Sequence, residues 1–275
     1  SLRGARLLVV GGPSPWLVYS SGVDEEVRGR LGIEVEYVGM EDLYRRYSGA
    51  RGGVPPGPGL SYPDPEALGR SYGVYQALRG LAEERGVRIV AVRCFDLIRD
   101  LGVSGCLALS MLLDEGVVAG CEADLPSTVT MAILAELSGS PPWMANVVAV
   151  GEDTLELAHC TIATSLTRGF SLTTHFESGA PLAVSGVVAE GTAVTVAKYD
   201  PRRNLMRVAR GRVVEGVPRH GSRCRTQVSL RVPGGFARRL LEDPMGAHVV
   251  VSFRDVVEHV RLFSRIADIG VEAFP

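Results

Sequence analysis

Up to about residue 138, apolar runs of strand length alternate with segments of helical periodicity; from about residue 143 short β-type runs simply follow one another. Strands separated by helices pair in parallel, because a crossover must return the chain across the sheet. Strands separated only by turns pair antiparallel. Both patterns in succession predict an α/β protein in two parts. Residues 1–140 should form a parallel α/β sandwich domain and residues 141–275 a mainly antiparallel, β-barrel-like domain. The break falls at Ser138-Gly139-Ser140-Pro141-Pro142, whose composition suits a boundary.

In the first part, Arg6–Val10, Ile33–Val38, Val87–Val92 and Val117–Cys121 read as strands. Residues 22–31, Met40–Tyr47, 65–85, Cys106–Leu113 and 126–137 read as helices, the last with Pro126 in its first turn and Gly139 past its end. In the second part the β-type runs are Val147–Val150, Thr192–Ala197, Leu205–Val208, Gly211–Val214, Gln227–Val232 and His248–Ser252. Helical signals return only at Phe236–Leu241 and Val256–Ala267. The glycine- and proline-rich stretch Gly49–Pro65 reads as a mobile surface loop or a functional one.

Composition excludes several classes of function. A net charge of −2 leaves no basic excess for a phosphate backbone, so nucleic acid is not an expected partner. No apolar run approaches the ~18 residues that span a bilayer. Arg3 and Arg6 before Leu7–Val10 imitate a signal peptide, but Gly11-Gly12-Pro13 cuts the run short, and a cytoplasmic protein is expected. The five cysteines form no CxxC pair and are expected as reduced, mostly buried thiols. Lys198 is the sole lysine, which fits a GC-rich or thermophilic source. Beside Tyr199-Asp200-Pro201 it is expected at the surface, without a catalytic role.

The sharpest chemical signal is Gly120-Cys121-Glu122-Ala123-Asp124. A β-run delivers Glu122 to the carboxyl edge of the parallel sheet, where open α/β sheets bind ligands. Asp124 stands where the next helix needs its N-cap. Glu122 has no such structural duty, and is a surface charge or a site residue. His159 and His248 lie in apolar contexts, where a lone histidine is a satisfied core residue or a ligand. With Glu122 they make an N/O donor set for a divalent cation such as Mn²⁺. No zinc motif, P-loop, GxGxxG or GxSxG is present. The cluster His175-Phe176-Glu177-Ser178-Gly179 is compact and polar. The segment Arg223–Gln227 is an anion site or a solvated strand.

Seven segments resemble the L-fucose isomerase family, in particular its archaeal and bacterial fucose isomerase-related members. They are LLVVGGPSPWLVYSSGVD (7–24), GCEADLPSTVTMAIL (120–134), PPWMAN (141–146), LAHCTIATSL (157–166), THFESG (174–179), CRTQ (224–227) and MGAHVVVSFRDVVEHVRLFSRIADI (245–269). The ending and the LAHC segment are also similar to L-arabinose isomerase, which shares the fold. The family has two α/β N-terminal domains and a C-terminal β-barrel domain, and the resemblance covers the second and third. It implies that the chain, beginning at Ser1, is a fragment lacking the first.

The resemblance further implies an aldose–ketose isomerase working through a cis-enediol with Mn²⁺ or a similar divalent cation. The family's metal-binding glutamate and histidine fall at Glu122 and His248. The metal-binding aspartate falls at Asn146, a departure. A second metal-binding histidine of L-arabinose isomerase matches His159. The expected metal set is therefore Glu122, His159 and His248, with Glu122 and Asn146 at the catalytic positions. Trp16, Asp124, His175 and Glu177 are the expected sugar contacts.

Moving a proton between C2 and C1 requires a base and an acid, and the enediolate needs a cation beside its oxygens. An amide at Asn146 moves no proton, which leaves Glu122 alone or with Asp124, Glu177 or water. A related carbohydrate epimerase and a non-catalytic sugar-binding or assembly module are the competing functions. A homo-oligomer, trimer or hexamer, is expected from the family.

Overall fold

The computed structural model describes residues 2–49 and 60–274, so most of the Gly49–Pro65 stretch lies outside the described residues. The chain opens with β1 (Arg6–Val10), α1 (Asp24–Leu31), β2 (Glu34–Val38), α2 (Met40–Gly49), α3 (Pro65–Arg85) and β3 (Ile89–Val92). There follow α4 (Phe95–Leu101), α5 (Cys106–Asp114), β4 (Val118–Gly120) and α6 (Leu125–Ser138). The four strands form one parallel sheet in the order β2-β1-β3-β4. β3 and β4 are buried throughout and β1 from its second residue, as expected of strands covered on both faces.

The remaining elements are β5 (Trp143–Val150), β6 (Thr154–His159), β7 (Gly169–Thr174), β8 (Pro181–Val187), β9 (Ala193–Asp200), β10 (Leu205–Glu215), β11 (Thr226–Arg231), α7 (Gly234–Glu242), β12 (His248–Ser252), α8 (Val257–Ile266) and β13 (Gly270–Phe274). Strands β11, β6, β5, β12, β9 and β10 pair antiparallel in that order, and β10 returns to β11, closing a six-stranded barrel. A bulge between Val213 and Glu215 turns β10 toward β11, while its first half pairs with the parallel strand β13.

Leu205–Val208 and Gly211–Val214, expected as separate strands, are one continuous strand. Gly211 marks a crowded point within it, since a Cβ there would lie 2.9 Å from Arg231 O. β6, β7, β8, β13 and α4 carried no clear sequence signal. Strands β7 and β8 form a separate ribbon. It is tied to the region before α5 by Ser104 Oγ, which donates to Leu182 O at 2.9 Å. It is tied to β11 by Thr226 Oγ1, which donates to Val184 O at 3.0 Å.

Helix α6 links the two sheets. It packs on β4 and β3 on one side and on β9 and β12 on the other, and Tyr199 N–H donates to Thr130 Oγ1 at 3.0 Å. The apolar core is continuous from β1 through α6 into the barrel. Cys94, Cys106, Cys121 and Cys160 are buried free thiols and Cys224 is half-buried.

Lys198 departs from expectation: it is 5% exposed, and its Nζ donates to Gly246 O at 2.8 Å. A lone cation beside a turn reads as surface, but packing of α6 and the Met245–Gly246 turn over β9 buries it. That burial lowers its pKa to about 8.

Candidate metal centre

The centre is assembled where the carboxyl edge of the parallel sheet meets one end of the barrel. After β4 the chain passes through Glu122 (φ 58°) and Ala123 (φ 51°), both in the left-handed region that side chains disfavour. Two contacts hold this turn. Ala123 N–H donates to Val92 O at 2.9 Å, and the Ser14 hydroxyl donates to Glu122 O. Gly120 is needed just before it, because a Cβ there would overlap the Thr128 hydroxyl in the first turn of α6. The turn throws the Glu122 carboxylate outward and leaves Asp124 to cap α6, its Oδ1 accepting from Ser127 N–H at 3.2 Å.

Asp124 does more than cap. Its oxygens also accept from Ser20 Oγ at 2.8 Å, Ser127 Oγ at 2.7 Å and His248 Nδ1 at 2.7 Å. Burial raises its pKa, but these partners outweigh burial and hold it at about 2. Expected as a sugar contact, Asp124 is 1% exposed and sits behind His248. Fixing Nδ1–H on the carboxylate leaves the other ring nitrogen, Nε2, facing Glu122, where it becomes a ligand atom once its own proton is lost. That Nε2 is buried, lies 3.4 Å from Glu122 Oε1, and has no hydrogen-bond partner.

His159, at the end of β6, completes the group. Its ring meets that of His248 edge-on at 5.6 Å. Its Nδ1 accepts from Thr161 N–H at 3.2 Å. One ligand atom from each of Glu122, His159 and His248 lies within 4.8 Å of the others, a group able to hold a divalent cation. Burial and then the neighbouring His248 lower the His159 pKa to about 3, so its ring is neutral, as a ligand must be. Burial works against ionised Glu122, but His248 and the Trp16 indole prevail and keep its pKa below the usual value. Trp16 Nε1 donates to Glu122 Oε2 at 2.9 Å.

Asn146 is the register partner of His248 across β5 and β12, half-buried and on the same side of the pleat. His175 and Glu177 occupy the tip joining β7 to β8. The His175 ring packs edge-on against Phe95 at 5.5 Å, and Phe95 against Trp16 at 5.2 Å, an aromatic row ending at Glu122. Glu177 is exposed, and burial of part of its side chain together with Glu122 raises its pKa. The residues that sequence reasoning missed are Ser14, Ser20 and Ser127, which hold Glu122 and Asp124. Serines in turns carry no signal of this kind.

No family model matches the chain. Curated sulfoquinovose isomerases are similar to it. That of Alkalicoccus urumqiensis is 26% identical over 205 residues, 71% of this chain and 46% of the relative. That of Priestia megaterium is 22% identical over 175 residues, 56% of this chain and 36% of the relative. That of a Clostridium species is 30% identical over 99 residues, 34% of this chain and 22% of the relative. The chain thus spans less than half the length of the curated relatives it matches. Among the described residues, no helix is long and apolar enough to cross a membrane.

Proposed function

We propose that this chain is the site-bearing part of a metal-dependent aldose–ketose isomerase of the L-fucose isomerase type, acting on a small sugar through a cis-enediol. The observation that carries the reading is the buried, unpartnered Nε2 of His248, aimed at Glu122 and backed by Asp124. Buried polar nitrogens are normally satisfied, so an orphan beside a carboxylate and a second imidazole fits an ion better than a core. The similarity to sulfoquinovose isomerases supports the same reaction class and makes sulfoquinovose the first sugar to test.

Glu122, His159 and His248 would hold the cation. When bound, it supplies Lewis-acid stabilisation of the charge that develops on the sugar oxygens. The Trp16 indole holds Glu122 Oε2, which is ionised and partly open, with 16% of the side chain exposed. It is the carboxylate placed to carry the proton between C2 and C1. Asp124 is saturated by its protein donors and orients His248 instead. Asn146 donates to or accepts from a sugar hydroxyl but carries no proton. Glu177, whose pKa is raised by burial and by Glu122, is a candidate acid. Two domains divided near residue 140 and assembly into trimers or hexamers belong to the same reading.

The test is Mn²⁺ binding by calorimetry, together with conversion of sulfoquinovose and L-fucose to ketoses followed by NMR. Glu122→Gln should lose both binding and turnover. Failure to bind Mn²⁺ or another first-row divalent ion sinks the reading. Epimers without ketose would point to the epimerase instead.

A further inference from the structure

The Arg223–Gln227 segment is not used by the centre described above, and its two arginines differ. Arg223 is neutralised by Glu156. Arg225 makes no ion pair among the described residues and donates only to uncharged oxygens. Its Nε–H reaches Thr174 O at 2.7 Å, one terminal nitrogen reaches Gly221 O at 3.0 Å, and the other reaches Thr174 Oγ1 at 3.3 Å. The guanidinium lies over the Phe176 ring, 5.8 Å from its centroid, and Ser185 Oγ donates to Arg225 O at 3.0 Å. Of five N–H donors three are used, which leaves one on each terminal nitrogen. Arg225 is therefore a half-buried, full positive charge, held in place with its charge uncompensated.

Its position gives that charge a use. Thr174 and Phe176, which hold Arg225, flank His175, and His175 closes the aromatic row that begins at Trp16 on Glu122. His175 feels the negative charge of Glu122 and the positive charge of Arg225. Arg225 is thus fastened to both neighbours of His175, the residue that the aromatic row connects to Glu122. A guanidinium with free terminal donors is the group that binds an oxyanion best. We propose that Arg225 is the residue of the sugar pocket that binds the substrate's terminal anionic group, the sulfonate where the sugar is sulfoquinovose. This rests on the isomerase reading for the nature of the sugar, but not for the binding of the anion.

The test is calorimetric titration of the protein, with Mn²⁺ present, by sulfoquinovose, glucose 6-phosphate and neutral 6-deoxyglucose. At least one anionic sugar should bind about tenfold tighter than 6-deoxyglucose, or better, with the preference shrinking as salt rises. The two anionic arms separate sulfonate from phosphate. Arg225→Gln should bring the preference to within about twofold, and Arg225→Lys should restore part of it. No binding of either anionic sugar, no preference in the wild type, or a preference unchanged in Arg225→Gln each overturns the proposal. Should Arg225→Gln fail to fold, competition by methanesulfonate in the wild type decides, and its absence overturns the proposal. Turnover is read separately. Anion-dependent binding without ketose formation sinks the isomerase reading alone, and ketose formation without anion preference sinks this one alone.

Discussion

At the scale of single residues, His248 is where charge and coordination compete. Burial opposes its protonation, but Asp124 and Glu122 outweigh burial and hold its pKa at about 9. A raised pKa means that the metal-free protein gains stability fully below the ordinary value of 6.5 and loses it as pH rises through about 9. A ligand must be unprotonated, so near pH 7 an entering ion has to displace one proton from His248 and none from His159. Calorimetry in buffers of differing ionisation enthalpy should therefore report about one proton released per ion. Release of none would show that His248 is already neutral. The hydrogen bond from Thr161 N–H to His159 Nδ1 offers a second check. Coordination through either ring nitrogen removes that acceptor, so titration with Zn²⁺ should move the Thr161 amide resonance. A stationary resonance would remove His159 from the ligand set. Glu122 stood out in the sequence because a carboxylate past a strand end has no capping duty, whereas His248, opening an apolar strand, reads equally as a core residue and became an expected ligand through the family resemblance. The left-handed turn that aims Glu122 was not legible, because nothing in Cys121-Glu122-Ala123 announces a positive φ.

At the scale of elements, the approach of α6 to β4 sets the position of the turn. Gly120→Ala should destabilise the protein by about 1–3 kcal/mol, because the new methyl overlaps the Thr128 hydroxyl. Adding Thr128→Ala should recover part of the loss in urea denaturation, and no recovery would place the strain elsewhere. Lys198→Met should also destabilise, by about 1–3 kcal/mol, since it leaves the half-buried Gly246 carbonyl without its donor two residues before His248. Unchanged stability would make the contact incidental. The strongly periodic elements were readable from sequence: α3 from its apolar spacing, α6 from Pro126 and Gly139, β12 from its valines. β6 and β8 were not, because TLELAH mixes Glu156 and His159 into its apolar run and PLAVSGV carries a proline and a glycine, both of which weaken a strand signal.

At the scale of the whole molecule, the apolar core runs without interruption from the parallel sheet through α6 into the barrel. Heating should accordingly produce a single unfolding transition by calorimetry and circular dichroism alike. Two resolved transitions would mean that α6 does not couple the sheets. The strand–helix alternation predicted the parallel sheet, whereas closure of the barrel was legible only as a count of β-runs, because register between distant strands leaves no mark on local sequence.

Glu122 comes from the end of one sheet, while His159 and His248 come from the other. An ion bound by all three would act as a rivet across the seam. At a hundredfold excess over its dissociation constant it adds about 2.7 kcal/mol against any opening that parts the sheets. Openings within either sheet would gain nothing. Hydrogen exchange with and without ion should therefore slow selectively at the first turn of α6 and the start of β12. The amides of β13, which pairs with β10 alone, would set the unaltered clock against which that slowing is read.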